Sequence, residues 1–439
     1  MQISQYTFAF EIEGEFYIYN TLSNALLEID KDSFAFFSEN SQFSEKKIDN
    51  ELLLILKEKR FITEHRIDEF LFYKSWLSGV RNTQNTFNLT ISPTMDCCFN
   101  CHYCFEKHEK IYISEKTLDN LITFVNSHKN IETMHLTWFG GEPLMAIDKI
   151  KYFYDKFRPI WKGKYYSDII TTAYLITPEM IDIIKQVEIS SIQITLDGTK
   201  EFHNQVKTDK NCNDVFSKTI QKIDLITELA PEVRVVIRVN LTKQNADSYI
   251  ELYHFITERY VNKKVGISLA FVMNRNKNEN TDIFFDRKEQ VDFILNLTYN
   301  HKIPSYWLNY PQQFLTECAV RNKNAYGIDP DGYLYKCWEN IGKKTYAFAK
   351  LTNNGYKTVN SAQLNRFLFG ADPLDNDACK RCSYLPLCNG GCPFHRIENE
   401  FENCNSECCT NYKGRLEDFF KIYVKLKKAG YYDKIENKQ

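Results

Sequence analysis

The sequence of 439 residues lacks the features that would assign it to a membrane or to nucleic acid. No apolar run approaches the roughly 20 residues that cross a bilayer. The opening residues, MQISQYTFAFEIEGEF, have no basic start followed by an apolar signal core. The formal net charge of −2 gives no global basic field. We therefore predict a cytoplasmic protein of two or three domains that binds neither membrane nor nucleic acid.

Cysteine, by contrast, is abundant and unevenly distributed. Four of the 14 cysteines lie between positions 97 and 104, and nine lie between 318 and 409. Cys212 stands apart, and we predict that it is a small buried apolar residue. Disulfides rarely persist in a reducing compartment. The clustered thiolates therefore indicate metal, and we favour iron–sulfur clusters over zinc.

Residues 1–86 have the pattern of a separate small α+β module. Alternation at Phe8, Phe10 and Ile12 predicts a half-buried strand, and FYIY and ALLEI predict two more strands. Asp30 can cap a short helix, and further helical segments follow it. Three strands and then helices predict a winged-helix-like fold. The further predicted helices cover 51–60 and 67–80.

From about 87 to 300, strand-like and helix-like segments alternate. Amphipathic stretches such as 115–129 and 179–187 lie between the strands. Repeated βα units predict a parallel sheet or barrel, with its chemistry at the carboxyl ends of the strands. Beyond about 310 we predict short cysteine-rich loops and a closing helix at 414–430. The predicted strands cover 87–91, 134–140, 167–176, 190–198, 233–241 and 265–273.

The first cysteine group follows the first of these strands directly. Cys97, Cys101 and Cys104 form a C-x3-C-x2-C spacing, and three thiolates on a four-iron cluster leave one iron open. Cys98 with the last two cysteines also begins a ferredoxin-type run, but His108 occupies the place of its fourth cysteine. Zinc binding and plain electron transfer are the alternatives.

The residues around this group carry a family resemblance. Thr94, Asn100, Tyr103 and Phe105 resemble the radical S-adenosylmethionine (SAM) superfamily, and WFGGEPLM at 138–145 resembles its GGEP motif. The resemblance implies an α/β fold with a partial (β/α)6 TIM-like barrel. It also implies a [4Fe–4S] cluster whose open iron binds SAM. Reductive cleavage of that SAM would give a 5′-deoxyadenosyl radical, so the cofactor supplies the difficult chemistry.

The GGEP segment is the first predicted contact with SAM. Gly140 and Gly141 permit close approach of the backbone. The resemblance implies that this backbone edge and Glu142 contact the SAM amino group, and a carboxylate suits an ammonium. An ordinary turn is the alternative interpretation.

Two later strands extend the resemblance. IQITLDGTKEFHNQVK implies that Thr195 lies near the SAM carboxylate or ribose, and VVIRVNLTKQN implies that Arg238 or Asn240 faces the cofactor. A solvated or ion-paired arginine is the alternative for Arg238. Thr172 and Lys207 depart from residues that are common in the family.

The second cysteine group resembles the seven-cysteine SPASM pattern, which binds two auxiliary [4Fe–4S] clusters, with zinc as the alternative. We prefer Cys409 over Cys408 as the terminal ligand of one cluster. The other cluster has an open iron or a late ligand such as Cys404 or Cys408. The implied ligands are Cys318, Cys337 and Cys392 for that cluster, and Cys379, Cys382, Cys388 and the terminal cysteine for its companion.

SPASM enzymes mostly modify peptides, which leaves two hypotheses about the reaction. The first is a thioether, C–C or C–O crosslink in a ribosomally made precursor, with residues 1–86 binding its leader, 87–305 as the radical SAM core and 306–439 as the SPASM domain. The second is anaerobic sulfatase maturation. It is disfavoured because Trp338 stands where those maturases carry a catalytic aspartate.

Two further expectations complete this interpretation. A flavodoxin or ferredoxin-type protein would supply the electron. The alternative role for residues 1–86 is to brace the barrel, and an iron–sulfur electron-transfer protein is the alternative from another functional class.

Overall fold

The computed structural model describes residues 1–38, 48–64, 66–83, 85–128, 130–209, 212–274, 281–303 and 310–432. The chain divides into two compact units, each built from separate stretches of sequence. Unit 1 comprises Met1–Asn82, Asp286–Cys318 and Phe369–Gln439, and unit 2 comprises Thr83–Phe285 and Ala319–Leu368. This division differs from the three predicted segments, which remain a proposal about function.

The elements are numbered along the whole chain. The strands are β1 Gln2–Ile3, β2 Thr7–Ile12, β3 Glu15–Asn20, β4 Ala25–Ile29, β5 Ile62–Thr63, β6 Thr86–Ile91, β7 Thr133–Trp138, β8 Lys164–Thr171, β9 Ile189–Thr195, β10 Arg234–Leu241, β11 Val265–Phe271, β12 Ala325–Ile328, β13 Tyr333–Tyr335, β14 Ala349–Thr352 and β15 Gly355–Thr358.

The helices are numbered in the same way. They are α1 Lys31–Ser38, α2 Asn50–Glu58, α3 Arg66–Arg81, α4 Glu115–Asn126, α5 Ile147–Phe157, α6 Pro178–Gln186, α7 Lys200–Val206, α8 Val215–Leu229, α9 Ala246–Arg259, α10 Arg287–Tyr299, α11 Ser361–Phe369, α12 Asp377–Lys380, α13 Leu385–Cys388, α14 Pro393–Phe401 and α15 Leu416–Lys428. Across the described residues, none of these helices has the length and apolar character needed to cross a bilayer.

Unit 2 is built on one large sheet. Strands β6 to β11 lie side by side in chain order, and each is parallel to its neighbours. Helices α4 to α9 lie between them in the sequence, as expected for βα units. The predicted α/β fold with a partial (β/α)6 barrel is confirmed, and the predicted strands agree with the observed ones apart from their ends.

The same sheet continues past β6, which the sequence analysis did not predict. Strand β12 pairs in parallel with β6, and β13, β14 and β15 follow as antiparallel neighbours. The prediction of only short cysteine-rich loops beyond residue 310 is therefore wrong for 325–358. These strands have three or four residues each, too few for a clear alternation of polar and apolar positions.

Unit 1 contains the predicted N-terminal sheet. Strands β2, β3 and β4 form an antiparallel sheet in that order. Glu13 and Gly14 join β2 to β3 with φ values of 53° and 85°. Positive φ at both loop residues is typical of the tight hairpin turn that matches strand twist. The side chain of Asp30 accepts a hydrogen bond from the Ser33 amide at 2.9 Å, as expected for a helix cap.

Aromatic residues tie this sheet to the closing helix within unit 1. The rings of Phe10 and Phe420 stack at 5.2 Å, and the ring of Tyr19 lies 4.6 Å from that of Phe420. The Tyr73 hydroxyl of α3 also donates to Asn389 Oδ1 at 2.7 Å. The N-terminal strands and the cysteine-rich segment of unit 1 therefore share one hydrophobic core.

Candidate functional site

A cavity of about 290 Å³ lies at the carboxyl ends of the parallel strands in unit 2. That is the end of a parallel α/β sheet where ligands bind. Of the residues predicted to bind the first cluster and SAM, all except Glu142 line it. They are Cys97, Cys101, Cys104, Gly140, Gly141, Thr195, Arg238 and Asn240.

The cysteine loop presents the three thiols of the C-x3-C-x2-C spacing to this cavity. Cys98 is not among the lining residues; its sulfur lies 4.0 Å from Thr172 Oγ1. A hydrogen bond with Cys98, together with burial, raises the pKa of Cys97. Burial raises the pKa of Cys101, and that of Cys104 to about 12. Buried thiols of this kind become thiolates when a metal supplies the counter-charge.

Three thiols on one loop fit a four-iron cluster better than a single ion. No three potential ligands among the described residues converge as they would on one metal ion. In a four-iron cluster each thiolate binds a different iron, so the thiols need not converge on one point. The donor set of three cysteines fits the expected cluster with one open iron.

The glycines after β7 permit a close approach between two loops. A Cβ atom on Gly141 would lie 2.2 Å from the carbonyl oxygen of Asp96, and one on Gly140 would lie 2.1 Å from Ser92 Oγ. Both glycines have positive φ, which is 85° at Gly140 and 45° at Gly141. Their positions therefore require glycine for reasons of space as well as conformation.

Glu142 is fully buried, and both its carboxylate oxygens accept hydrogen bonds. Oε1 accepts from Thr171 Oγ1 at 2.5 Å and from the Leu144 amide at 3.1 Å. Oε2 accepts from the Thr172 amide at 2.8 Å and from its hydroxyl at 2.6 Å. These contacts tie the GGEP turn to the end of β8. The predicted contact between Glu142 and SAM remains a prediction.

Glu106, which the sequence analysis did not single out, contributes a carboxylate to the cavity lining. Its Oε2 accepts a hydrogen bond from the Gly141 amide at 3.2 Å. Its Oε1 is shielded from solvent and has no hydrogen-bond partner among the described residues. Burial raises the pKa of Glu106 to about 7. Nothing in the local sequence signals this role, because it depends on the fold bringing the loop against Gly141.

A buried charge network lies beneath the cavity. Asp197 contacts Lys207 and accepts a hydrogen bond from the Tyr103 hydroxyl at 2.6 Å. Burial alone would lower the pKa of Lys207, but Asp197 outweighs burial and raises it. Burial and the nearby ammonium lower the pKa of His203 to about 3. The imidazole is therefore neutral, and its Nδ1 accepts from the Asp197 amide at 3.2 Å.

Arg238 and Asn240 face the cavity because of the two-residue period of β10. The residues between and beside them, Ile237, Val239 and Leu241, are buried on the opposite face. The Arg238 Nε group donates to Asn240 Oδ1 at 3.1 Å. An arginine held in this way can present its outer N–H groups to a carboxylate.

The structure places two other residues in the cavity lining that the sequence analysis did not predict there. Lys207, which the sequence analysis treated as a departure from the family, lines the cavity as part of the charge network. Glu339 lines it too, one residue beyond Trp338. Strand β12 and the turn after β13 connect that segment to the sheet of unit 2, and the short strands gave no sequence signal for this placement.

Unit 1 has a cysteine-lined cavity of its own, of about 230 Å³. The cavity includes three of the predicted auxiliary ligands and both candidates for the terminal ligand. The five thiols belong to Cys379, Cys382, Cys388, Cys408 and Cys409.

Most of these five sulfurs accept hydrogen bonds from groups of the same unit. Lys413 Nζ donates to Cys409 Sγ at 3.3 Å, and Arg396 Nη1 donates to Cys379 Sγ at 3.6 Å. The Gly390 amide donates to Cys388 Sγ at 3.3 Å. Such donors stabilise thiolates, so the set fits an iron–sulfur cluster with four cysteine ligands.

The remaining predicted auxiliary ligands are not brought into this cavity. Cys318 and Cys392 are exposed in unit 1, and Cys337 is buried in unit 2. Cys404 is half-buried and does not line the five-thiol cavity. The assignment of Cys318, Cys337 and Cys392 to one cluster therefore remains a prediction.

Comparison with known proteins agrees with the site. Residues 91–256 match the family model described as the Radical SAM superfamily. The chain is 23% identical over 347 residues to a serine-type anaerobic sulfatase-maturating enzyme of Bacteroides thetaiotaomicron, covering 69% of this chain and 81% of that protein. It is 20% identical over 438 residues to the radical SAM cyclopropyl synthase TigE of Paramaledivibacter caminithermalis, covering 92% of this chain and 88% of TigE.

A solved structure has the same fold. The structure of native anSMEcpe with bound AdoMet and the Kp18Cys peptide superimposes with a TM-score of 0.61 at 18% identity. The match covers 78% of this chain and 99% of that one. At this identity the likeness concerns the fold alone.

The fold and the cysteine-lined cavity thus define a radical SAM domain. Residues 91–256 are similar to the radical SAM superfamily, and the chain is an enzyme. The match implies SAM and a [4Fe–4S] cluster as cofactors. The alternative of an electron-transfer protein without SAM chemistry is therefore not retained.

Proposed function

We propose that this enzyme installs a crosslink in a ribosomally made precursor peptide, as a thioether, C–C or C–O bond. The cluster and SAM supply a radical that abstracts hydrogen from an unactivated position. The protein's own residues position SAM and exclude water. The backbone at Gly140 and Gly141 lets the amino-acid end of SAM approach closely. Arg238 presents N–H donors, and Phe139 and Phe271 form apolar walls.

The observation that carries this proposal is an open sheet edge in the same chain as the SAM cavity. Within the described residues, neither outer strand of the β2–β3–β4 sheet pairs with a further strand. An extended peptide can add to such an edge through main-chain hydrogen bonds. A leader held there would raise the effective concentration of the attached core peptide to about the millimolar range.

The register identifies which main-chain groups face outward. The Thr21 amide donates to the Tyr6 carbonyl, and hydrogen-bonded pairs alternate along an antiparallel ladder. Thus β3 residues 16, 18 and 20 bond to β4, and the main-chain groups of Leu26 and Glu28 point away from β3. The same alternation turns those of Glu11 outward on β2. Both glutamate side chains are exposed.

The alternative, that residues 1–86 have a structural role, also has support, and this affects the choice of experiment. Phe10, Tyr17 and Tyr19 of the sheet lie in one core cluster with Leu416 and Phe420 of α15. Deleting residues 1–86 would expose that core. A deletion would therefore confound leader binding with folding, and single proline substitutions at the sheet edges separate the two.

Glu28→Pro is the test of leader capture. Proline removes one outward N–H and leaves the main-chain bonds between β3 and β4 in place. It also removes the hydrogen bond that the Tyr17 hydroxyl donates to Glu28 Oε2 at 3.3 Å. We expect about ten-fold weaker binding of a leader peptide to Glu28→Pro, with an unchanged rate of SAM cleavage by dithionite-reduced enzyme. Binding is measured by fluorescence anisotropy, with candidate precursors taken from adjacent reading frames.

Glu11→Pro is the matched control, because it makes the same change on the opposite edge. If β4 captures the leader, Glu11→Pro binds it normally. The reverse pattern would assign the leader to β2. Normal leader binding and normal precursor turnover by both variants, with iron content intact, would rule out strand addition and leave residues 1–86 as a brace.

We further propose two auxiliary [4Fe–4S] clusters and a flavodoxin or ferredoxin-type reductant. The cavity with five thiols supports one of these clusters. The other relies on Cys318, Cys337 and Cys392, which the sequence pattern groups together. Iron analysis of anaerobically reconstituted enzyme tests the number, since three four-iron clusters contain about twelve irons.

Anaerobic sulfatase maturation is the second candidate, and one observation favours it. Although Trp338 replaces the expected aspartate, Glu339 brings a carboxylate to the cavity. Incubation with a sulfatase-derived peptide carrying cysteine or serine, followed by mass spectrometry, distinguishes the two. Formylglycine in that peptide would favour maturation, whereas a crosslink formed only in a precursor with its leader would favour the first proposal.

A further inference from the structure

The two carboxylates beside the glycine edge differ in what they have left to offer a ligand. Glu142 accepts four hydrogen bonds from neighbouring protein groups. Glu106 accepts one, from the Gly141 amide, and its other oxygen is buried without a partner among the described residues. Of these two, Glu106 lines the cavity and Glu142 does not. Between them, the Glu106 carboxylate is therefore the one positioned to receive a group from inside the cavity.

The chemistry of that group follows from the surroundings. A buried carboxylate oxygen without a donor is costly, and a cation that brings N–H donors relieves the cost most effectively. Arg238 has the opposite requirement, because it is a cation that needs an acceptor. Among the described hydrogen bonds it donates from Nε alone, to Asn240. A cavity with an anionic acceptor on one wall and a cationic donor on another is complementary to a zwitterion. The amino-acid end of SAM is such a group.

We propose that Glu106 accepts a hydrogen bond from the α-amino group of SAM, with the Gly141 amide fixing the Glu106 carboxylate. In this arrangement Glu142 is a positioning residue, which holds the glycine edge against the end of β8. The proposal reverses the order of importance that the sequence implied for the two glutamates. It relies on the radical SAM chemistry and not on the identity of the peptide substrate.

The test measures binding, in anaerobically reconstituted full-length enzyme, of SAM and of a SAM analogue without the α-amino group. Glu106→Gln is expected to weaken SAM by about ten- to hundred-fold, because it removes a charge-assisted hydrogen bond. It should leave the affinity for the analogue unchanged. Glu142→Gln, which loosens the edge itself, should weaken both ligands alike. Iron content and the visible spectrum are recorded for each variant.

Glu109→Gln is the matched control, because it lies on the same loop and its carboxylate pairs with Lys107 at the surface. It should bind both ligands as the wild type does. If Glu106→Gln loses iron, Glu106→Asp keeps the charge on a shorter side chain and should weaken SAM selectively, to a smaller degree. Equal weakening of both ligands in the Glu106 variants, or no weakening, overturns the proposal. Failure of the wild type to bind SAM would instead contradict the assignment of the cofactor, independently of Glu106.

Discussion

The two cysteine-lined cavities differ in what surrounds their thiols. In unit 2, three thiols share a cavity with glutamate, arginine, asparagine and threonine side chains that face inward. In unit 1, five thiols line one cavity, where the described lining residues include no aspartate or glutamate, and lysine and arginine donate to two of the sulfurs. The first arrangement leaves room for a ligand on the cluster. The second would satisfy the proposed auxiliary cluster with protein groups alone.

If both cavities hold clusters, as proposed, the number of cysteines does not by itself define the role of a cluster. A site that performs chemistry needs fewer thiolates and more polar groups with unused capacity. A site that only stores or passes an electron needs the thiolates and donors that stabilise them. Each of the following experiments changes residues in one of these two cavities.

The largest effect is expected from the three cysteines of unit 2. Changing Cys97, Cys101 and Cys104 together to alanine should abolish SAM cleavage and remove about a third of about twelve irons. Cleavage is followed by chromatography of 5′-deoxyadenosine and iron by colorimetric assay. Retained cleavage in this variant would contradict the assignment of the SAM-binding cluster.

The next experiment separates two neighbouring thiols of unit 1. Cys409→Ala should lose up to about four irons, whereas Cys408→Ala should keep them. The reason is that Lys413 donates to Cys409, while Cys408 is paired with the neutral amide of Asn399 at 3.6 Å. Both variants should still bind SAM. The opposite iron pattern would make Cys408 the terminal ligand.

A smaller effect is expected from the charge network of unit 2. Lys207→Met leaves Asp197 buried without its ammonium partner, which costs about 3–5 kcal/mol. The midpoint of thermal unfolding should fall by about 10 °C. The double variant Lys207→Met with Asp197→Asn should recover part of the loss. Equal midpoints for the wild type and Lys207→Met would mean that the pair contributes little to stability.

The smallest effect concerns the lysine beside Cys409. Lys413→Gln removes a positive charge near the proposed unit 1 cluster, so that cluster should become harder to reduce and its potential should move to more negative values. Potentiometric titration followed by electron paramagnetic resonance measures the shift. Lys421→Gln, which changes a lysine paired with Glu417 at the surface, is the control. A shift of the same size in both variants would deny Lys413 a specific role.

The sequence predicted what depends on local periodicity. The family resemblance implied that Arg238 or Asn240 faces the cofactor, and the two-residue period of β10 places both on the cavity face; the cysteine spacing predicted a single loop. Both are properties of a few consecutive residues. The predicted barrel strands were also recognisable because each has six or more residues, and in all except β11 buried positions recur, mostly at every second residue.

What the sequence did not predict depends on contacts between distant segments. The pairing of β12 with β6 joins positions more than 200 residues apart, and neither strand encodes its partner. The burial of Glu106 depends on Gly141, 35 positions away. Thr172 looked like a departure from the family, yet its amide and hydroxyl hold Glu142.

The interleaved chain of unit 1 has a consequence for how the protein is made. Strands β2 and β3 are synthesised early, but Phe10 and Tyr19 pack against Phe420. At about 5–20 residues per second, a ribosome needs about 20–80 s to produce the intervening 400 or so residues. All of unit 2 is synthesised during that interval, so its parallel sheet can form before the closing helix is made. The aromatic face of the early hairpin must therefore be shielded until the closing helix appears, so unit 1 completes this core after unit 2 has been synthesised.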